Sequence, residues 1–225
     1  VLMEAGASAR ILEYFDSEAD LSSFEHHISE VILKENAYCH HFKIQNYASQ
    51  VNAQTQVVVK QHQSSQFNSF TLQLGGAMST CDYWIDLSEE DASAYLNGLF
   101  MPKAKQFHQQ RLQINHHVPH CHSNQNFRGI LKESSRGVFI GQVKVDKYAN
   151  KTQAHQSNKN LVLSPLAQMT TCPQLQIDAD DVICSHGATV GQLDDEAIFY
   201  LRSRGFSDLQ AQEMLVSAFV HSQFD

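Results

Sequence analysis

"GVFIGQVKVDKYANKTQAHQSNKNLVLS" spans residues 137–164, and its reading decides the fold. Phe139, Gly141, Val143 and Val145 alternate with other residues, so they share one face of an extended segment. A turn follows near Ala149. The polar run "TQAHQSNKN" (152–160) comes next and leads into the apolar "NLVLS". Gln and Asn stack into amide ladders when like strands lie above and below them. A strand that is polar and yet bounded by apolar strands therefore suits a coil of stacked rungs.

Working outward, the same kind of segment recurs. "ARILEYF" (9–15), "HISEVIL" (27–33), "HFKIQNY" (41–47), "QTQVVVK" (54–60), "SFTLQLG" (69–75), "YWIDL" (83–87) and "PQLQIDA" (173–179) are short and rich in β-branched or aromatic residues. Between them a small residue beside a polar one marks turns at Ala7, Ala37, Ala92, Ala149, Ala167 and Ala179. The spacing of these turns is irregular, which suits rungs joined by loops of varied length. With 4 Pro and 10 Gly the chain is poor in the residues that tight hairpins need. The expected class is mainly β: a parallel β-helix core over residues 1–190, with an irregular β-sandwich as the second choice.

The period changes after residue 193. Asp194 can cap a helix whose first turn holds Asp195 and Glu196 and whose last turn holds Arg202 and Arg204. Gly205 can close it in the left-handed conformation. Ser207 with Gln210 forms a capping box for a second helix, with Phe206 and Ala211 at the staple positions. Ala211, Met214, Leu215, Ala218 and Phe219 predict its buried stripe. Residues 191–225 thus read as a helical appendage too small for a core of its own.

Composition excludes several classes. A net charge of −8 with 16 Lys+Arg speaks against nucleic acid as a partner. No apolar run is long enough to span a membrane. The opening "VLMEAGASAR" has no secretory pattern and begins within a strand-like stretch without an initiator Met, so the sequence reads as a fragment. Five widely spaced cysteines, Cys39, Cys81, Cys121, Cys172 and Cys184, form no C-x-x-C and predict free thiols in a reducing cytoplasm. No phosphate-binding loop, nucleophile elbow or zinc-protease motif is present.

Three groups of residues could carry chemistry. Cys184 and His186 lie two apart, so in a strand they share a face with Cα atoms about 7 Å apart. A soft metal or a cluster edge would suit that donor pair, but two ligands are too few for a closed site. Further ligands must come from elsewhere in the fold or from another chain. The plainer reading is a buried thiol beside a hydrogen-bonded imidazole. In "NHHVPHCH" (115–122), His116, His117, His120, Cys121 and His122 offer a loop metal site of a cupin-like protein, against a polar turn between rungs. Asp178, Asp180 and Asp181 could hold Ca²⁺ or serve as acid and base in a β-helix polysaccharide lyase or hydrolase, against a plain rung turn.

The stretches "SSRGVFIGQVKV" (134–145), "ANKTQAHQSNKNLVLS" (149–164), "PQLQIDADDVICSHGATVGQLDDEAIFYLRSRG" (173–205) and "AQEMLVSAF" (211–219) closely resemble the SufB/SufD family of iron–sulfur cluster assembly proteins, on its SufD branch. "SFTLQLGGA" (69–77), "LNGLF" (96–100) and "PHCHSNQNFRGIL" (119–131) extend the resemblance over nearly the whole chain. It implies a right-handed parallel β-helix followed by C-terminal helices. It also implies a scaffold that is not itself an enzyme. The implied partners are a SufB-like β-helix protein and a SufC-like ATPase, the latter docked on the C-terminal helices. A homodimer of the isolated chain is a further expectation. Matched residue by residue, Cys184 and His186 would then coordinate iron or a nascent Fe–S cluster shared with the partner chain. Neither would hold it alone.

Overall fold

The computed structural model describes residues 1–17 and 22–223. Strands, numbered in chain order, fall into two parallel sheets of seven among the described residues. One sheet holds β1 (Leu2–Met3), β3 (Phe24–Leu33), β5 (Asn52–Gln61), β7 (Met78–Leu87), β9 (Phe107–His116), β11 (Arg136–Val145) and β13 (Gln168–Ile177). The other holds β2 (Ser8–Asp16), β4 (Tyr38–Asn46), β6 (Gln66–Gln73), β8 (Ser93–Phe100), β10 (His122–Leu131), β12 (Gln153–Val162) and β14 (Ile183–Gly191). Consecutive strands alternate between the sheets, and each strand pairs with the one laid down a full turn earlier. The register pairs Asn52 with Met78 and Arg136 with Gln168, so a rung takes about 26 to 32 residues. This is a parallel β-solenoid of about six turns. The β-helix expectation holds, and so does the pair of C-terminal helices.

One corner repeats with a regularity that the residue types conceal. Gly6, Asn36, Ser64, Asp91, His120 and Lys151 all adopt φ between 53° and 71°. Each lies one residue before the corner position occupied by Ala7, Ala37, Ser65, Ala92, Cys121 and Thr152. Those residues accept, through their carbonyls, the backbone N–H that opens the corresponding strand one rung on, as in Tyr38 to Ala7 and Gln153 to Cys121. The left-handed residue itself donates to the turn above, as in Gly6 N–H to Glu35 O and Lys151 N–H to Asp181 O. A small side chain follows because the corner is packed; Ala37, Ala92 and Cys121 are all buried.

Between the sheets the lumen is filled, not hollow. Val57, Val59, Phe67, Tyr83, Ile85, Leu96, Leu112, Ile114, Phe127 and Phe139 form its apolar core. Polar side chains share the interior: Gln73, Gln110, Gln125, Gln156, Asn158 and Asn160 face inward and are buried. Gln156 donates to Gln125 Oε1 at 2.7 Å, and Asn158 donates to Phe127 O at 3.1 Å, each one rung away. The polar run at 152–160 is therefore a strand whose amides bond across rungs, as its composition predicts.

Helix α1 (Asp195–Ser203) is capped by Asp194, which accepts from the Glu196 N–H at 2.9 Å. Gly205 takes φ 95° behind it. Helix α2 (Asp208–His221) begins with the Ser207–Gln210 capping box. Its buried side differs from the expected stripe. Ala211, Leu215 and Phe219 are covered or half-covered, but Met214 and Ala218 are exposed, and Gln212 and Val216 take their place. The helix is rotated because its C-terminal end is tied to the sheet by Arg128. That guanidinium donates to the carbonyls of Phe219 and Ser222 and to Ser222 Oγ. Among the described residues no helix is long and apolar enough to cross a membrane.

Candidate functional site

Cys184 and His186 stand on β14, the edge strand of its sheet and the last rung of the rod. Their register partners are Ala154 and Gln156. Both partners are buried and face the lumen, so the thiol and the imidazole share the lumen face of the terminal rung, as the spacing of two predicts. Below Cys184 the column runs through Ala154, Ser123, Ala94, Phe67 and Cys39. Below His186 it runs through Gln156, Gln125, Leu96, Ser69 and His41. Every residue named in those columns is buried, whereas at the last rung Cys184 is half-buried and His186 exposed.

The environment of the two donors differs. Cys184, like Leu175 and Val182, packs against a small buried cluster of Val143, Val145, Ala149, Ala154 and Ala179. Burial pushes its thiol up, and a backbone contact with Ala154 offsets part of that rise. Cys39 and Cys121, deeper in the rod, are pushed up by burial to about 11. All five cysteines are free. Sulfur and imidazole nitrogen suit iron or a cluster edge. Among the described residues no group of three or more His, Cys, Asp or Glu could close a metal site. Two donors on one face are fewer than a closed structural site needs.

The structure disperses the histidine run. His116 is buried at the end of β9, with its Nε2 2.9 Å from Ser123 Oγ. His117 lies between two carboxylates, 2.8 Å from Asp146 and 3.2 Å from Asp86. His120 is the left-handed residue of a corner, and His122 opens β10. Four imidazoles close in sequence therefore serve four separate places. The aspartates fare alike: Asp178 accepts from Gln176 at 3.2 Å, Asp181 pairs with Lys151 at 2.5 Å, and Asp180 occupies the exposed turn between them. They occupy the turn between β13 and β14, which lacks the left-handed residue of the other six corners.

Comparison with known proteins settles the family. The profile described as "SUF system FeS cluster assembly, SufBD core domain" matches residues 1–219. The chain belongs to this family. It is 37% identical over 216 residues to "Iron-sulfur cluster assembly protein SufD" of Escherichia coli, covering 95% of this chain and 51% of that protein. It is 35% identical over 202 residues to a SufBD family iron–sulfur cluster assembly protein of Synechocystis, covering 90% of this chain and 45% of the relative. It is 29% identical over 221 residues to "Protein ABCI7, chloroplastic" of Arabidopsis thaliana, covering 97% of this chain and 46% of the relative. The chain spans about half the length of the curated relatives it matches.

In this SufBD core one buried constellation escapes sequence reading. His41 Nδ1 lies 2.9 Å from Ser69 Oγ, and its Nε2 lies 3.0 Å from Glu13 Oε2. The order Ser–His–Glu looks like a hydrolytic triad, but Ser69 is buried and its oxygen also meets the Tyr83 hydroxyl at 3.0 Å. The line is an internal polar network shared by Glu13, His41, Ser69 and Tyr83. Glu13, Ser69 and His41 come from three different strands, and no motif links them in the sequence.

Proposed function

We propose that this chain is the β-helix core of a non-catalytic scaffold subunit in SUF iron–sulfur cluster assembly. Cys184 and His186 form half of a site for iron or a nascent cluster, which is the cargo, and a SufB-like β-helix partner supplies the other half. The helices α1 and α2 dock a SufC-like ATPase. The observation that carries this reading is the uncovered lumen face of the last rung. A thiol and an imidazole are presented there side by side, on a sheet edge whose backbone groups are free to pair with another chain. A stiff rod holds them in register, and exposed Phe199, Tyr200 and Leu209 on the helices offer an apolar surface to a partner. The same open edge supports a homodimer when the partner is absent.

The test is replacement of Cys184 and His186 together by Ala in the full-length protein, in cells that depend on this pathway for clusters. Activity of iron–sulfur enzymes should fall towards the level of cells without the gene. Undiminished activity with normal protein abundance would overturn the reading.

A further inference from the structure

Directly beneath His186 in the register lies Gln156, and beneath Gln156 lies Gln125. Gln156 is 3% exposed. Its Nε2 donates to Gln125 Oε1 at 2.7 Å, which fixes the direction of the amide and leaves Oε1 as its free end. That oxygen is buried without a hydrogen-bond partner among the described residues. Burying an acceptor in this way is costly unless a donor arrives. The opposite sheet makes room for this amide. A Cβ added to Gly141 would lie 2.0 Å from Gln156 Nε2, so any larger residue there would displace the amide.

Neighbouring parallel strands lie about 4.8 Å apart, so side chains on one face of adjacent rungs are within reach of each other. The residue above Gln156 carries an imidazole, which has an N–H to give in either neutral tautomer. We propose that Gln156 is a positioning residue: its Oε1 accepts the ring N–H of His186, fixing the tautomer and the plane of the ring. The other ring nitrogen is then bare, with its lone pair directed off the end of the rod. Such an outer hydrogen bond orients a ligating imidazole and raises its basicity. Cys184 has no equivalent, because Ala154 lies beneath it and offers no polar side chain. The purpose of the arrangement rests on the cluster-site reading above; the hydrogen bond itself does not.

The experiment reads the two ring nitrogens of His186 by ¹⁵N NMR in the metal-free chain, above the pH at which imidazole titrates. The His186→Ala spectrum gives the assignment. One protonated and one bare nitrogen, widely separated in shift, are expected. In Gln156→Met, of similar volume, the two shifts should draw together towards the average of a freely exchanging ring. In Gln156→Glu, which keeps an acceptor oxygen, the separation should return. An averaged His186 ring in the unaltered chain would overturn the proposal whatever the variants do. So would a separation that persists in a folded Gln156→Met. Because this readout needs neither iron nor a partner, it can fail while the cellular test of His186 succeeds, or succeed while that test fails.

Discussion

Arg128 and Phe219 lie 91 positions apart in the chain, yet the guanidinium carbon sits 5.0 Å from the centre of the Phe219 ring. The same guanidinium donates to the Phe219 and Ser222 carbonyls, which are orphan acceptors at the end of α2. One buried cation therefore fastens the helical appendage to the outer face of the rod.

Arg128→Ala should release that end. Charge-assisted hydrogen bonds are worth about 1.5–3 kcal/mol each when measured by loss, so detachment of α2 should cost about 2–4 kcal/mol. Hydrogen exchange should show α2 amides losing protection while those of β5, β7 and β9 keep theirs. Equal loss of protection throughout would mean that the helix and the rod unfold as one unit.

Gly98→Ala should destabilise the rod. Its added Cβ would fall 2.1 Å from Phe127 Cε1, and Phe127 is buried at 1% exposure with its ring 5.7 Å from that of Phe139. Overpacking of this kind costs about 1–3 kcal/mol. Denaturant midpoints should show the loss, and adding Phe127→Leu should recover part of it. Additive losses in the double variant would show that the two sites do not meet.

Ala104→Gly should stabilise the chain by about 0.5–1 kcal/mol. Ala104 is exposed and held at φ 54°, where a Cβ is strained. The relief outweighs the greater freedom that Gly gives the unfolded chain. Gly6→Ala, at φ 71°, should do the reverse. Thermal unfolding of the two variants gives both signs.

Acid should weaken the fold in two steps. Burial holds the His108 imidazole down to about 4, against the opposing bond to Gly75 O. It holds His116 down to about 3, with nearby His122 and His117 adding to the effect. A free imidazole titrates near 6.5, so the unfolded chain takes up protons from there downward while the folded chain does not. Stability from these two groups is whole above pH 6.5 and is lost as pH falls from 6.5 towards 4 and 3, by about 3–5 kcal/mol for each. Glu13 adds a lower step. Burial alone would raise its carboxyl, but bonds from His41 and Ser29 outweigh that and hold it at about 2. Its share is present above the ordinary carboxyl value of 4.5 and disappears as pH falls towards 2. Urea midpoints measured from pH 8 to 4 should fall below 6.5, and His108→Gln should flatten that slope. A flat profile in the unaltered chain would contradict both assignments.

The alternation of Phe139, Gly141, Val143 and Val145 made β11 legible, since all four face a lumen of matching character. Strands β9 and β10 are harder to see. Their inward residues include His108, Gln110, Ser123 and Gln125, which read as surface when the register is unknown. The corners are hidden for a related reason. Six left-handed residues of six different types carry one backbone shape, held by hydrogen bonds between rungs and not by a turn motif. The common face of Cys184 and His186 follows from a spacing of two. Their place at the end of the stack depends on how many rungs precede and follow them, which no local pattern records. Gln156 could be read as part of an amide ladder, but its unpaired oxygen emerges only from the register.

An inner rung of this rod is clamped by a neighbour on each side, whereas β14 is clamped on one side alone. Opening it breaks a single ladder, as for the other edge strands β1, β2 and β13, so it frays more cheaply than an inner strand. The thiol and the imidazole therefore ride on a strand held along one side only. A chain that paired with this edge would add the second ladder that β14 lacks and narrow the positions its side chains sample.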